Sequence, residues 1–151
     1  MTTLTVRQAA LDDLEALVPL FDGYRQFYGR ASDPSAAREF LLARFNHGQS
    51  ALFIAHVDDM PVGFTQLYPS FSSVSLARVF VLNDLFVQED HRRKGVASKL
   101  ISAATEFARA LGAVRLTLST AIANTTAQSV YQSAGWKRDE QFYVYHFAIQ
   151  G

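Results

Sequence analysis

One stretch constrains the fold more than any other. A run rich in β-branched and aromatic residues, Leu76 to Val87, leads through Arg92, Arg93, Lys94 and Gly95 into helical spacing of apolar residues at Val96, Leu100, Ile101, Ala104, Phe107, Ala108 and Leu111. Gly112 marks the C-terminal stop of that helix, and Val114 to Ser119 reads as another strand. A strand–helix–strand unit over residues 79–119 argues for a mixed α/β sheet. Asn83 and Asp84 interrupt the first strand, and polar residues inside such a run predict a bulge or a site.

The rest of the chain supplies further elements. Leu4 to Gln8 alternates like a half-buried strand. Asp12 and Glu15 have capping-box spacing, after which Leu14, Leu17, Val18, Phe21, Tyr24 and Tyr28 recur at helical intervals, with a kink or restart expected at Pro19. Ser35 to Phe45 predicts a second helix. Ala51 to Val57 and Val62 to Tyr68 predict an antiparallel hairpin with a four-residue loop, closed by Pro69. Thr125 to Ala134 reads as a helix ended by Gly135, and Phe142 to Ile149 as a terminal strand. No repeat or linker divides the chain, so a single domain over residues 1–151 is expected.

Composition narrows the function classes. With 49% hydrophobic and 19% charged residues, the chain has material for a sizeable core and should fold unaided. Zero cysteines exclude a disulfide framework, a thiolate zinc site, an iron–sulfur cluster and a cysteine nucleophile. The four histidines (His47, His56, His91, His146) share no metal-ligand spacing, so no metal is expected. Met1 to Arg7 lacks a signal-peptide pattern and no continuous apolar stretch reaches ~18 residues, which predicts a cytoplasmic protein without a membrane partner. Fourteen basic and fourteen acidic residues balance, but the first 75 residues hold five Arg against eight acids and the remainder nine basic residues against six acids. The only tight basic cluster is Arg92 to Lys94, directly after Glu89 and Asp90, which suits a small polyanion better than nucleic acid.

That cluster sits where a helix begins. Free N–H groups at a helix N-terminus and its dipole favour phosphate oxygens. Gly95 lets the backbone come close, Ala97 does not block the approach, and the basic side chains surround it, so a pyrophosphate is the predicted ligand. A solvated basic loop is the plainer alternative. The Walker loop and the dinucleotide fingerprint both fail for want of their glycine and lysine spacings.

A second segment follows on the next unit: Asn124, Ala127, Gln128, Tyr131, Gly135 and Trp136. Together, Arg92, Gly95 and Ala97 in the first segment and Asn124, Ala127, Tyr131, Gly135 and Trp136 in the second resemble the GNAT acetyltransferase superfamily. The resemblance implies a single-domain α/β fold: a mixed, mostly antiparallel twisted sheet of about six to seven strands flanked by about four helices. It implies acetyl-CoA as donor, held between splayed central strands by Leu85, Phe86 and Val87, by the turn Arg92, Arg93, Lys94, Gly95, Val96 and Ala97, and by Asn124, Gln128 and Tyr131. Tyr131 is implied as the acid that protonates the departing thiolate.

Transfer to an amine needs the neutral base form. An ordinary lysine-like amine of pKa ~10.4 is only ~0.04% neutral at pH 7, a handicap of about 4.6 kcal/mol that a desolvated or base-assisted site must offset. Asp84 is the carboxylate nearest the implied thioester, and could attract a cationic acceptor or relay its proton; it could equally be structural. A narrower resemblance is to polyamine-type small-molecule acetyltransferases, which often carry Glu then Asp where this chain has Asn83 then Asp84. Loss of one carboxylate weakens the polyamine reading. Tyr24, Tyr28 and Asp33, with Asn83 and Asp84, are the expected acceptor-binding residues. The expected function is N-acetylation of a small-molecule primary amine by direct attack in a ternary complex; the alternatives are a protein lysine or N-terminal acetyltransferase and a non-catalytic acyl-CoA-binding module. The aromatic tail Phe142, Tyr143, Tyr145 and Phe147 predicts a homodimer.

Overall fold

The computed structural model describes residues 2–150. They divide after Ser119 into two compact units. The larger unit is built on a sheet of strands β1 (Leu4–Gln8), β2 (Ala51–Val57), β3 (Met60–Ser72), β4 (Ala77–Val87) and β5 (Leu116–Thr117), in that order, with three helices α1 (Leu14–Phe27), α2 (Pro34–His47) and α3 (Val96–Ala110). The first four strands pair antiparallel, and β4 pairs parallel with β5. The smaller unit contains α4 (Thr125–Ser133).

Strand alternation gives the sheet two covered faces. Leu52, Ile54 and Phe64 join Leu14, Leu17, Val18, Phe21, Ala37 and Leu41 in a core with α1 and α2. Phe53 and Phe80 meet Phe107 of α3 with ring centroids 5.3 and 5.6 Å apart, so α3 covers the opposite face. None of the described helices is long and apolar enough to cross a membrane.

Several boundaries differ from the sequence reading for local reasons. A 3₁₀ turn, Leu11–Asp13, precedes α1, and Asp13, not Glu15, reaches back to the helix entry: its carboxylate accepts from Ala10 N and from Arg7, each at 2.8 Å, and Asp12 makes no cap. Helix α1 runs through Pro19 without restarting. The hairpin turn is only Asp58–Asp59, both with positive φ (48° and 68°), the backbone of a tight two-residue turn. Strand β3 continues past Pro69 to Ser72; β2 has ended by then, since Ala51 pairs with Leu67, and one side of β3 is free to take a proline. Among the described residues the sheet has five strands rather than six to seven: β5 is reduced to Leu116–Thr117, and residues 142–149 form no strand. Aromatic alternation confers propensity, but a strand exists only where a neighbour pairs with its backbone groups.

Candidate functional site

Strand β4 carries most of the site, and its pairing explains why. On the β5 side the ladder comprises Phe80 with Leu116 and Val81 with Thr117. Among the described residues no strand pairs with Leu82 to Val87 on that edge, which leaves a length of open sheet edge with Leu85, Phe86 and Val87 at its end. The chain then turns through Glu89–His91 and Arg92 to Lys94 into α3. Gly95 is the N-cap with φ +83°, a left-handed conformation that glycine adopts without strain, and a Cβ built there would meet nothing within 4 Å. Lys99 N donates to Gly95 O at 3.1 Å, and the N–H groups of Val96, Ala97 and Ser98 precede that first helical bond. Buried Val96 anchors the helix start, while Arg93 and Lys94 are exposed. Arg92 is a clamp: its Nε donates to Val87 O at 2.8 Å and its guanidinium lies 5.6–5.7 Å from the Phe86 and Phe27 rings.

Upstream on β4 lies the acid cluster. Gln66 faces Asp84 and Leu67 faces Leu82, so Asn83 is the extra residue of a bulge. A bulged residue loses its place in the ladder, and here Tyr24 of α1 compensates by donating its hydroxyl to Asn83 O at 3.0 Å. The register shift also sets Asp84 opposite Gln66, whose Nε2 donates to Asp84 Oδ2 at 2.5 Å; Asn83 Nδ2 donates to Oδ1 at 2.7 Å. Ser50 Oγ donates in turn to Gln66 Oε1 at 2.7 Å, and Thr65 Oγ1 to the Asp84 backbone carbonyl at 2.7 Å. Asp84 is only 2% exposed. Burial pushes its carboxyl above the usual range, opposed by the hydrogen bonds from Asn83 and Gln66. The same burial, with the Asp84 charge added, raises Tyr24 and pushes Tyr68 up to about 12.

This cluster opens on a cleft of about 420 Å³. Phe21, Tyr24, Phe40 and Tyr68 supply aromatic lining, Ala36 and Ala37 a small-residue wall, and Asn83, Asp84 and Arg25 the polar groups. The α1–α2 connection beside it is pinned by Asp22, 5% exposed, which accepts from Gln26 Nε2 and Asp33 N at 2.8 Å and from Ser32 Oγ at 2.7 Å. Desolvation works against the Asp22 carboxylate, and those three bonds with Arg25 still hold its carboxyl below the usual range.

In the smaller unit, Asn124 caps α4 by accepting from Ala127 N at 3.2 Å, which is why the two stand three residues apart. Gln128 Nε2 donates to the carbonyls of Ala121 and Ile122 at 3.2 and 2.9 Å. Tyr131 and Trp136 are half-buried, their rings 5.9 Å apart, and Gly135 ends the helix with φ +94°.

Comparison with known proteins decides what this architecture is. The acetyltransferase (GNAT) family profile matches residues 16–136. The chain belongs to the GNAT acetyltransferase family. Within that family it is 45% identical over 142 residues to the uncharacterized N-acetyltransferase YhfO of Bacillus subtilis, covering 94% of this chain and 95% of that one. A crystal structure of a probable acetyltransferase superposes with a TM-score of 0.93 at 44% identity, covering 97% of this chain and 99% of the other. The fold is shared with the aminoglycoside N-acetyltransferase AAC(6')-Iy, crystallised in complex with CoA, at a TM-score of 0.81 and 23% identity, covering 97% of this chain and 96% of that one.

As an acetyl-CoA-dependent GNAT enzyme, the protein needs a donor site and an acceptor site, and the sequence-derived residues distribute unevenly over such needs. Leu85 to Val87 and Arg92 to Ala97 lie at the open strand edge and the turn that follows it. Tyr24, Asn83 and Asp84 line the cleft together. Tyr28 packs edge-on against Tyr24, centroids 5.1 Å apart, and is 54% exposed. Asp33 caps α2, its carboxylate accepting from Ala36 N at 3.1 Å. Gln66, Tyr68 and Asp22 were missed. Gln66 sits in an ordinary strand pattern, and only the opposing polar pair Asn83 and Asp84 offered a signal that a partner was required.

Proposed function

We propose that the enzyme acetylates the primary amine of a small molecule in a ternary complex, with residues 1–151 acting as one N-acetyltransferase domain. What carries the reading is the cleft of about 420 Å³ ending on a buried carboxylate. That volume lies in the range of small-molecule sites, whereas a protein acceptor needs an open groove.

The donor fits the chain's own features. The α3 N-terminus, with no Cβ at Gly95 and with Arg93 and Lys94 exposed beside it, suits the pyrophosphate of acetyl-CoA, and the unpaired edge of Leu85, Phe86 and Val87 suits its amide-rich arm by edge pairing. Arg92 serves by holding the strand end to the turn. When bound, acetyl-CoA supplies an activated acetyl group: the C–S bond breaks, an N–C amide bond forms, and of the two protons the ammonium gives up one goes to solvent and one to sulfur. Asp84 attracts the ammonium and, because burial raises its carboxyl, takes a proton more readily than an exposed aspartate does. Tyr131 is proposed as the acid for the thiolate, and Asn124, which caps α4, and Gln128, which ties down the loop before it, as further donor-binding residues.

A homodimer remains part of this reading. It is supported by the aromatic tail, where Phe142, Tyr143, Tyr145 and Phe147 are 74–90% exposed, an apolar surface of a kind soluble monomers rarely leave uncovered. Light scattering at micromolar concentration should give about twice the 16.8 kDa chain mass, and a monomer would remove the dimer. The functional test is CoA release from acetyl-CoA with a panel of small amines set against lysine-containing peptides. Turnover with small amines is the expected result; turnover with peptides alone overturns the reading, and cofactor binding without any turnover identifies a binding module.

A further inference from the structure

The acceptor cleft has an unusual balance of rings and charge, and on it rests a narrower statement of substrate class. Its walls are aromatic: Phe21 stacks on Phe40 with centroids 5.6 Å apart and planes at 14°, and on Tyr24 at 6.3 Å and 17°. Phe21 itself is only 7% exposed, and Phe40 already stacks on Phe21 and carries Arg44, so what opens to a ligand is the edge of Phe40, 40% exposed, with half-buried Tyr24 and Tyr68. One carboxylate, Asp84, lies in the lining. Arg25 also lines the cleft, its charge acting on buried Asp22 as well, and a second guanidinium, Arg44, lies 4.2 Å from the centre of the Phe40 ring.

From this balance we propose that the cleft selects a primary amine borne on an aromatic ring and carrying a single positive charge, an arylalkyl monoamine, and discriminates against polyamines. The proposal rests on the small-molecule reading above and names its acceptor. A lone ammonium has its counter-charge in Asp84. A second ammonium finds no second carboxylate in the lining and is repelled by Arg44 and, to the extent that Asp22 does not offset its charge, by Arg25. The body of the acceptor faces rings, and aromatic rings prefer other rings in stacked or edge-on contact beyond what burial of equal aliphatic surface supplies.

The step is unchanged from that above: the ring remains untouched, and the nitrogen gains the acetyl carbon as the ammonium gives up two protons, one to solvent and one to sulfur. The experiment compares kcat/KM of the full-length enzyme for 2-phenylethylamine, hexylamine and spermidine under saturating acetyl-CoA. Hexylamine matches the first in charge and approximate length without the ring; spermidine has the charge without the ring. The expected order places 2-phenylethylamine about tenfold above hexylamine, the scale of two ring contacts, with spermidine lowest. Phe40→Leu should collapse the aryl preference to about threefold or less through KM rather than kcat. Arg25→Gln should raise spermidine kcat/KM by about threefold relative to hexylamine, a readout that a purely structural role for Arg25 would not move. Hexylamine or spermidine equal to 2-phenylethylamine in the wild-type enzyme overturns the arylalkyl assignment while leaving small-molecule acetylation intact. Failure of all three amines while a lysine peptide turns over instead removes the small-molecule reading, and this inference with it.

Discussion

Replacing Asp84 by Asn tests the centre of the site, because activity and stability should move in opposite directions. The side chains are nearly isosteric, and the environment can adapt: Gln66 and Asn83 now donate to the two carboxylate oxygens, and an amide at position 84 turns one acceptor into a donor. Gln66 can rotate its amide, since Ser50, which donates to it, can accept instead. The negative charge alone is lost. A hydrogen bond to a charged group contributes about 1.5–3 kcal/mol, so kcat/KM for an amine should fall about 10–150-fold. Stability follows the opposite sign. Burial raises the folded-state carboxyl above its unfolded value near ~3.9, so the folded protein binds this proton more tightly than the unfolded one. The associated stability is full below that unfolded value and is lost as pH rises through the folded one. At pH 7 the wild-type protein therefore bears the cost of a buried charge that the variant lacks. The gain should be about 1–2 kcal/mol, or a Tm increase of about 2–8 °C for a chain of this size, shrinking toward zero in acid. Thermal unfolding of both proteins across pH 4–8, paired with steady-state kinetics, measures both arms. A variant less stable by a pH-independent amount, or one with wild-type kcat/KM, refutes the argument and makes Asp84 a structural pin.

Four further outcomes are expected. Gly95→Gln places a side chain at a left-handed N-cap and in front of the α3 N–H groups, and calorimetry should show acetyl-CoA affinity reduced at least about tenfold in a folded protein; unchanged affinity puts the donor elsewhere. Tyr131→Phe should keep donor affinity yet turn over ~10²–10⁴-fold more slowly, and wild-type turnover would end its role as acid. Gly63→Ala sets a Cβ 2.8 Å from the Phe86 carbonyl oxygen, a backbone atom that cannot swing aside, so denaturant unfolding should reveal a loss of about 1–3 kcal/mol. Asp22→Ala strands the donors on Gln26, Ser32 and Asp33; the same measurement at pH 7 should show a loss of about 1–3 kcal/mol that shrinks on acidification, because the lowered Asp22 carboxyl contributes stability present above its unfolded value and lost as pH falls.

What the sequence determined by itself is what neighbouring residues decide among themselves. The apolar spacing from Val96 to Ala108 makes α3, Gly95, Gly112 and Gly135 adopt the positive φ their helix ends require, and Asn124 finds Ala127 N three residues on. The turn after β4 was legible for that reason, and so was the polar interruption at Asn83 and Asp84. Tertiary structure decided what depends on residues distant along the chain. That Asp84 is buried, faces Gln66 and shares a cleft with Tyr24, Phe40 and Tyr68 follows from a bulge, a strand register and the docking of two helices, none of which a local pattern encodes. The spacing of α1 carries no signal for Asp22, whose partners Ser32 and the Asp33 N–H come from the connection that follows the helix. Residues 142–149 show the same limit from the other side: alternation expressed a preference for a strand, but hydrogen bonding to a neighbour makes one, and that neighbour is a property of the fold.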